Sequence, residues 1–167
     1  MGDRRSLAGL HDSKQMTPER REEVYPCVLR AASRVSVVVR SATGIDRRGL
    51  HVTNLDALGR ALEKVRPDGA ICLVDGFRLG RRCALAHRAV VEGDGTSAAI
   101  AAASIIAKVT RDRYMQRASQ TYPGWGFDEN VGYSTPEHRA AISQLGISPL
   151  HRRSFASVAY RQLELAG

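Results

Sequence analysis

Ala70-Ile71-Cys72-Leu73-Val74, followed at once by Asp75-Gly76, is the stretch on which the reading of this chain turns. Five consecutive apolar residues with no polar alternation suit a strand covered on both faces, as in the sheet of an α/β protein. Pro67-Asp68-Gly69 turns the chain into it. Asp75 then stands where such a sheet opens onto its ligand crevice. An ordinary Asp-Gly turn accounts for the same two residues.

Downstream, Arg78 to Arg82 form a basic loop and Ala89-Val90-Val91 a second short strand. Gly93-Asp94-Gly95-Thr96-Ser97 follows and opens a helix expected from Ala98 to about Thr121. That helix is apolar all round as far as Ala107, which predicts a central position. Gly93 to Ser97 lack the spaced glycines and Gly-Lys pair of a nucleotide P-loop. Asp94 reads as a cap or turn carboxylate, or as a second functional acid. Two carboxylates at adjacent strand ends can share a divalent ion, and two-metal phosphodiester hydrolysis needs such oxygen ligands. Ser97, Ala101, Ser104, Lys108 and Arg111 recur at spacings of three and four and share one helix face. The face is small and polar near its start and cationic beyond. It suits either the close approach of a sugar–phosphate backbone or helix packing through small residues.

Tyr122 to Gly126 form a loop, and Gly132-Tyr133-Ser134-Thr135 lies close to Trp125 and Phe127. A tyrosine there can stack on a base or bond a ribose 2′-OH, or simply pack in the core. Thr135-Pro136-Glu137 is a helix start, and Gly146 closes that helix. His151-Arg152-Arg153-Ser154-Phe155 sets a basic run beside an aromatic, suited to phosphate contact.

Upstream, residues 1–16 are polar and irregular. Thr17-Pro18-Glu19 starts a helix running to about Ala32, with Pro26 a possible bend. Val35 to Val39 reads as a strand by its β-branched content, and Asn54 to Val65 as a helix through Leu55, Leu58 and Leu62. No repeat or linker interrupts this order, which is expected to form one α/β domain over residues 1–167.

With 25 basic against 17 acidic residues, the net charge is +8. Such a field attracts polyanions and favours a nucleic-acid partner. An apolar fraction of 43% argues against disorder. Cys27, Cys72 and Cys83 form no C-x-x-C pair and read as reduced, mostly buried thiols. The N-terminus lacks the apolar run of a signal peptide, and the longest apolar stretch, Ala98 to Ala107, is too short to span a bilayer. A cytoplasmic monomer without a membrane partner is the expectation.

Taken together, these segments resemble type 2 ribonuclease H (ribonuclease HII), in the family's order and over nearly the whole chain. Asp12-Ser13-Lys14 resembles its DSK element, Val74-Asp75-Gly76 its third catalytic aspartate, and Gly93-Asp94 its fourth. Ala101 to Arg113, Ala-Ala-Ala-Ser-Ile-Ile-Ala-Lys-Val-Thr-Arg-Asp-Arg, is similar to its most distinctive string. Tyr122-Pro123, Gly132 to Thr135 and His151 to Phe155 complete the set.

The resemblance implies a ribonuclease H-like fold, a central mixed sheet flanked by helices, here lacking its first strands. It implies endonucleolytic hydrolysis of RNA in RNA–DNA hybrids, or at a ribonucleotide in duplex DNA, by a two-metal mechanism leaving 5′-phosphate and 3′-OH ends. Asp75 and Asp94 would bind Mg2+ or Mn2+, and Tyr133 would read the ribonucleotide. Ser13, Lys14, Ser97, Ser104, Lys108, Arg111, Arg152 and Arg153 would hold the substrate. Two departures stand out. The family's Asp-Glu-Ala-Gly-Arg-Gly strand is absent, with only eleven residues ahead of Asp12. Glu129-Asn130-Val131-Gly132 stands where His-Lys-Gly is usual, which predicts the loss of two cationic or hydrogen-bonding groups before Tyr133. The first departure makes a low activity the expectation for this chain, and a hybrid- or RNA-binding protein that does not cut the alternative.

Overall fold

The Thr17 hydroxyl accepts the Arg20 N–H at 3.2 Å, and Pro18 fills the first turn of α1 (Pro18–Ala31). The computed structural model describes residues 16–66, 68–80 and 83–155. Pro26 lies inside α1 without ending it. Then come α2 (Ala42–Arg48), α3 (Leu50–Val65), β1 (Cys72–Asp75), β2 (His87–Val90), α4 (Gly93–Thr96), α5 (Ala98–Thr121) and α6 (Pro136–Leu145). This is an α/β chain, as expected. Thr135 caps α6 by accepting the His138 N–H, and Gly146 ends it at φ +73°.

Three local expectations need correction. Val35 to Val39 are not a strand, and Val39 is 72% exposed. β-branched residues favour a pleated, half-buried surface rather than creating one, and no described strand pairs with this segment. α2 was not anticipated, and α3 begins about a turn before Asn54. α2 buries no residue and shows no apolar period; it rests on its caps, with Ser41 accepting the Gly44 N–H and Gly49 ending it at φ +81°. Finally, α5 is not covered all round. Ile100, Ala101, Ile105, Ile106 and Val109 are buried, but Ala99, Ala103 and Ala107 are exposed.

The described residues gather into two compact units, one drawn from those within 16–39 and 54–109, the other from those within 40–53 and 110–155. In the first, β1 and β2 form a parallel pair in register from Cys72 opposite His87 to Asp75 opposite Val90. Among the described residues this pair is the whole sheet. Cys72 and Val74 bury one face of β1, but Leu73 on the other is only half-buried and Ile71 lies ahead of the strand, 86% exposed, so the expected cover on both faces is reached on one alone. Val74 packs with Leu55 of α3 and with Leu79 and Cys83 of the crossover. His87 ties that crossover down. Its Nε2 accepts the Leu79 N–H at 3.0 Å, and its Nδ1 faces the Leu85 carbonyl at 2.8 Å. A second cluster sets Val28 of α1 against Ala101, Ile105, Ile106 and Val109 of α5.

In the second unit the largest fully buried side chain is Phe127. It lies against the rings of Trp125, His138 and His151 at centroid distances of 6.2, 5.5 and 5.4 Å. The three cysteines carry free thiols, two of them buried.

Candidate nucleic-acid and metal site

β1 ends on Asp75 because Gly76 turns away at φ +72°, a conformation open to glycine at little cost. The Gly76 N–H still reaches across to the Val90 carbonyl at 2.8 Å, which holds the strand ends level. Beyond β2, Glu92 takes a left-handed conformation and reverses the chain. The Gly93 N–H then donates to Asp75 Oδ1 at 3.0 Å. A Cβ at Gly93 would stand 2.5 Å from Ile100 Cδ1 and 3.3 Å from both Asp75 Oδ1 and Val90 Cβ. Glycine is therefore what lets the backbone close on the carboxylate. Asp94 follows directly in α4, only 5% exposed. Asp75 thus meets the backbone N–H of the residue that immediately precedes Asp94.

Along the predicted α5 face, the outcome divides. Ala101 is fully buried in the α1–α5 core, so packing accounts for the small residue there. Ser97 sits at the helix start, its hydroxyl 3.5 Å from the Ile100 N–H. Ser104 and Lys108 are half-buried, and Arg111 is exposed. Ser13 and Lys14 lie outside the described residues.

In the second unit, Tyr133 is 54% exposed rather than packed inside. The Arg111 guanidinium lies over its ring, 5.2 Å from the centroid. Asn130 sets the turn beneath it: its Oδ1 accepts the Gly132 N–H and its Nδ2 donates to the Trp125 carbonyl, both at 2.7 Å, while its carbonyl accepts the Tyr133 N–H. Asn130 spends its amide within this turn, on the Gly132 N–H and the Trp125 carbonyl.

The Trp125 carbonyl is shared with His138, whose Nδ1 lies 2.8 Å away. His151 Nδ1 accepts the Ser148 N–H at 2.9 Å, so its proton resides on Nε2, 3.2 Å from His138 Nε2. Read in order, each ring donates to the next acceptor, ending on the Trp125 carbonyl. Burial, and then the neighbouring His138, push the His151 imidazole down to about 4. Sequence reading singled out neither Asn130 nor His138 for this work; the histidines' one signal was their place among aromatics.

Arg153 is exposed and Arg152 half-buried, its guanidinium 4.9 Å from the Phe155 ring centroid. Asp46 of α2, which sequence reading passed over, accepts hydrogen bonds from the Arg153 and Ser154 N–H groups and from the Ser154 hydroxyl. The Ser154 donors, hydroxyl first, hold the Asp46 carboxyl below the ordinary carboxylate range.

In one unit Asp75 ends a strand with Gly93 and Asp94 beside it, and in the other arginines lie over aromatic rings, all carried on an α/β framework. A family model described as Ribonuclease HII matches residues 3–158. The chain is similar to ribonuclease HII of Nocardia farcinica (strain IFM 10152), 46% identical over 93% of this chain and 61% of that protein. It is similar also to ribonuclease HII of Geobacillus kaustophilus (strain HTA426), 42% identical over 91% of this chain and 58% of that one. Among solved structures it is similar to ribonuclease H2 from Pyrococcus horikoshii OT3, with a TM-score of 0.76 and 26% identity over 97% of this chain and 82% of the other. The chain belongs to the ribonuclease HII family. It spans about three fifths of the length of these two curated relatives.

Proposed function

We propose that this chain acts on RNA–DNA hybrids and on duplex DNA containing a ribonucleotide, as part of a metal-dependent endonuclease. Water attacks the phosphorus, the 3′-oxygen leaves as a hydroxyl, and the products carry 5′-phosphate and 3′-OH ends. Asp75 and Asp94 hold Mg2+ or Mn2+. Carboxylates are the hard oxygen ligands such ions prefer, and Asp75 meets the N–H of the residue just ahead of Asp94. Among the described residues no group of three or more His, Cys, Asp or Glu side chains converges. When bound, the ion supplies Lewis-acid stabilisation of charge on the phosphoryl oxygens.

The remaining work falls to this chain's own side chains. Gly93 N–H orients the Asp75 carboxylate through Oδ1. Tyr133, exposed and steadied by Arg111 and the Asn130 turn, stacks on or hydrogen-bonds the ribonucleotide. Lys108, Arg111, Arg152 and Arg153 hold phosphates, and Ser97 and Ser104 line the approach along α5. Two-metal hydrolysis draws on more carboxylates than these two, and no third acid joins them among the described residues. For that reason hybrid binding without cutting remains the second reading.

The observation that carries the proposal is Asp75 gripping the Gly93 N–H beside buried Asp94. Mn2+ titration calorimetry, hybrid binding and cleavage of a duplex bearing one ribonucleotide test it together. Asp75→Asn keeps an oxygen for Gly93 but loses the charge, and should weaken Mn2+ binding by about tenfold or more. Unchanged Mn2+ affinity in Asp75→Asn and Asp94→Asn would sink the metal assignment. Hybrid binding with no cutting at any metal concentration favours the second reading.

A further inference from the structure

Asp46 stands on α2, 107 residues ahead of Arg153, and none of the roles above uses it. Its Oδ2 accepts the Arg153 N–H at 3.0 Å, and its Oδ1 accepts the Ser154 N–H at 3.0 Å and the Ser154 hydroxyl at 2.6 Å. All these residues belong to the second unit. An acid beside two arginines would ordinarily pair with a guanidinium. Here, among the described residues, neither Arg152 nor Arg153 forms an ion pair with it. The carboxylate is spent on the two N–H groups and the Ser154 hydroxyl, which pins the chain at 153 and 154, while the Arg152 charge acts on it more weakly and without a hydrogen bond. Arg152 meanwhile lies over Phe155.

We propose that Asp46 is a positioning residue for nucleic-acid binding: it clamps the Arg153-Ser154 backbone so that Arg152 and Arg153 present a pre-set pair of cations to substrate phosphates. The inference rests on the reading of those arginines as phosphate contacts. A loop ordered beforehand loses less conformational freedom on binding. The sign of the effect makes the idea testable. An acid that was only a surface charge would repel a polyanion, so removing it would tighten binding; removing a clamp loosens it.

The experiment uses the 167-residue chain and a fluorescently labelled RNA–DNA hybrid, titrated across a salt series, with thermal melts of each variant. Asp46→Asn should weaken binding about threefold to tenfold and lower the log–log salt slope by about one to two, roughly one unit for each phosphate no longer held. It should cost nothing further when added to Arg152→Ala/Arg153→Ala. Equal or tighter binding by Asp46→Asn, with an unchanged or steeper slope, overturns the clamp. Should Asp46→Asn lose its cooperative melt, Ser154→Ala carries the test, because it removes the 2.6 Å bond and spares both N–H bonds: about twofold weakening supports the clamp, and none overturns it. If the double arginine variant binds as well as the parent chain, the phosphate-contact reading fails and takes the clamp with it. A normal arginine effect with a silent Asp46 overturns the clamp alone.

Discussion

In the first unit, Asp75 is delivered by the end of a strand, and one backbone N–H at Gly93 holds its carboxylate. In the second unit, Tyr133 stands on no regular element and is held by a relay of side chains, from Asn130 to the Trp125 carbonyl and on to His138 and His151. The strand end owes its geometry to backbone pairing over a packed face. The tyrosine turn owes its geometry to polar side chains buried among aromatics, where each unmade bond is costly. The second unit should therefore be the more sensitive to single side-chain changes and to pH.

The strongest way to break that contrast is Phe127→Ala. Phe127 fills the space between Trp125, His138 and His151, and its loss should cost about 3–5 kcal/mol. Urea unfolding would measure it, and a loss below that of Val28→Ala, in the first unit's core, would contradict the ranking. The next effect is acid lability. The folded His151 sits at about 4 against an ordinary 6.5, so the unfolded chain binds the proton more readily between those values. The stability tied to the neutral ring is fully present above pH 6.5 and is lost as pH falls toward 4, by about 2–3 kcal/mol. Unfolding free energies that stay flat from neutral pH down to about pH 5 would refute it, and His151→Phe should flatten the profile in the parent's place.

Gly93→Ala probes the first unit. The added methyl meets Ile100 Cδ1 at 2.5 Å, and overpacking of that kind costs about 1–3 kcal/mol; the lower end applies if the end of the Ile100 side chain can turn aside. Since the Gly93 N–H must shift with it, Mn2+ affinity should fall together with stability. A stable variant with full Mn2+ affinity would show that the close approach is not needed. The smallest effect belongs to Val37→Thr. Val37 is exposed in a segment that forms no strand, so the change should stay within about 0.5 kcal/mol. A larger loss would mean that the valine run buries a face after all.

Much of this was legible without coordinates because it depends on short-range physics. Thr17 and Thr135 cap helices through hydroxyls three residues from their partners, Gly146 ends α6, and an apolar run ending in Asp75 makes a strand end wherever it packs. The motif order from Asp75 to Phe155 likewise carried the family. What escaped was set by residues distant in sequence. Val35 to Val39 has strand propensity, yet propensity does not supply a neighbour. Ala101 fits a substrate face by spacing, and only the packing of Val28 against it assigns it to the core. Asp46 reads as one acid among arginines, and no local pattern says that its oxygens will be spent on backbone N–H groups 107 and 108 residues away. The sequence by itself determined the helices at Pro18, Ala98 and Pro136, the strand ending on Asp75, the Thr17 and Thr135 caps and the family, since each follows from contacts within a few residues or from a motif string. Only the tertiary structure decided which polar groups grip one another, because a hydrogen bond depends on a distance of about 3 Å that chain separation does not encode.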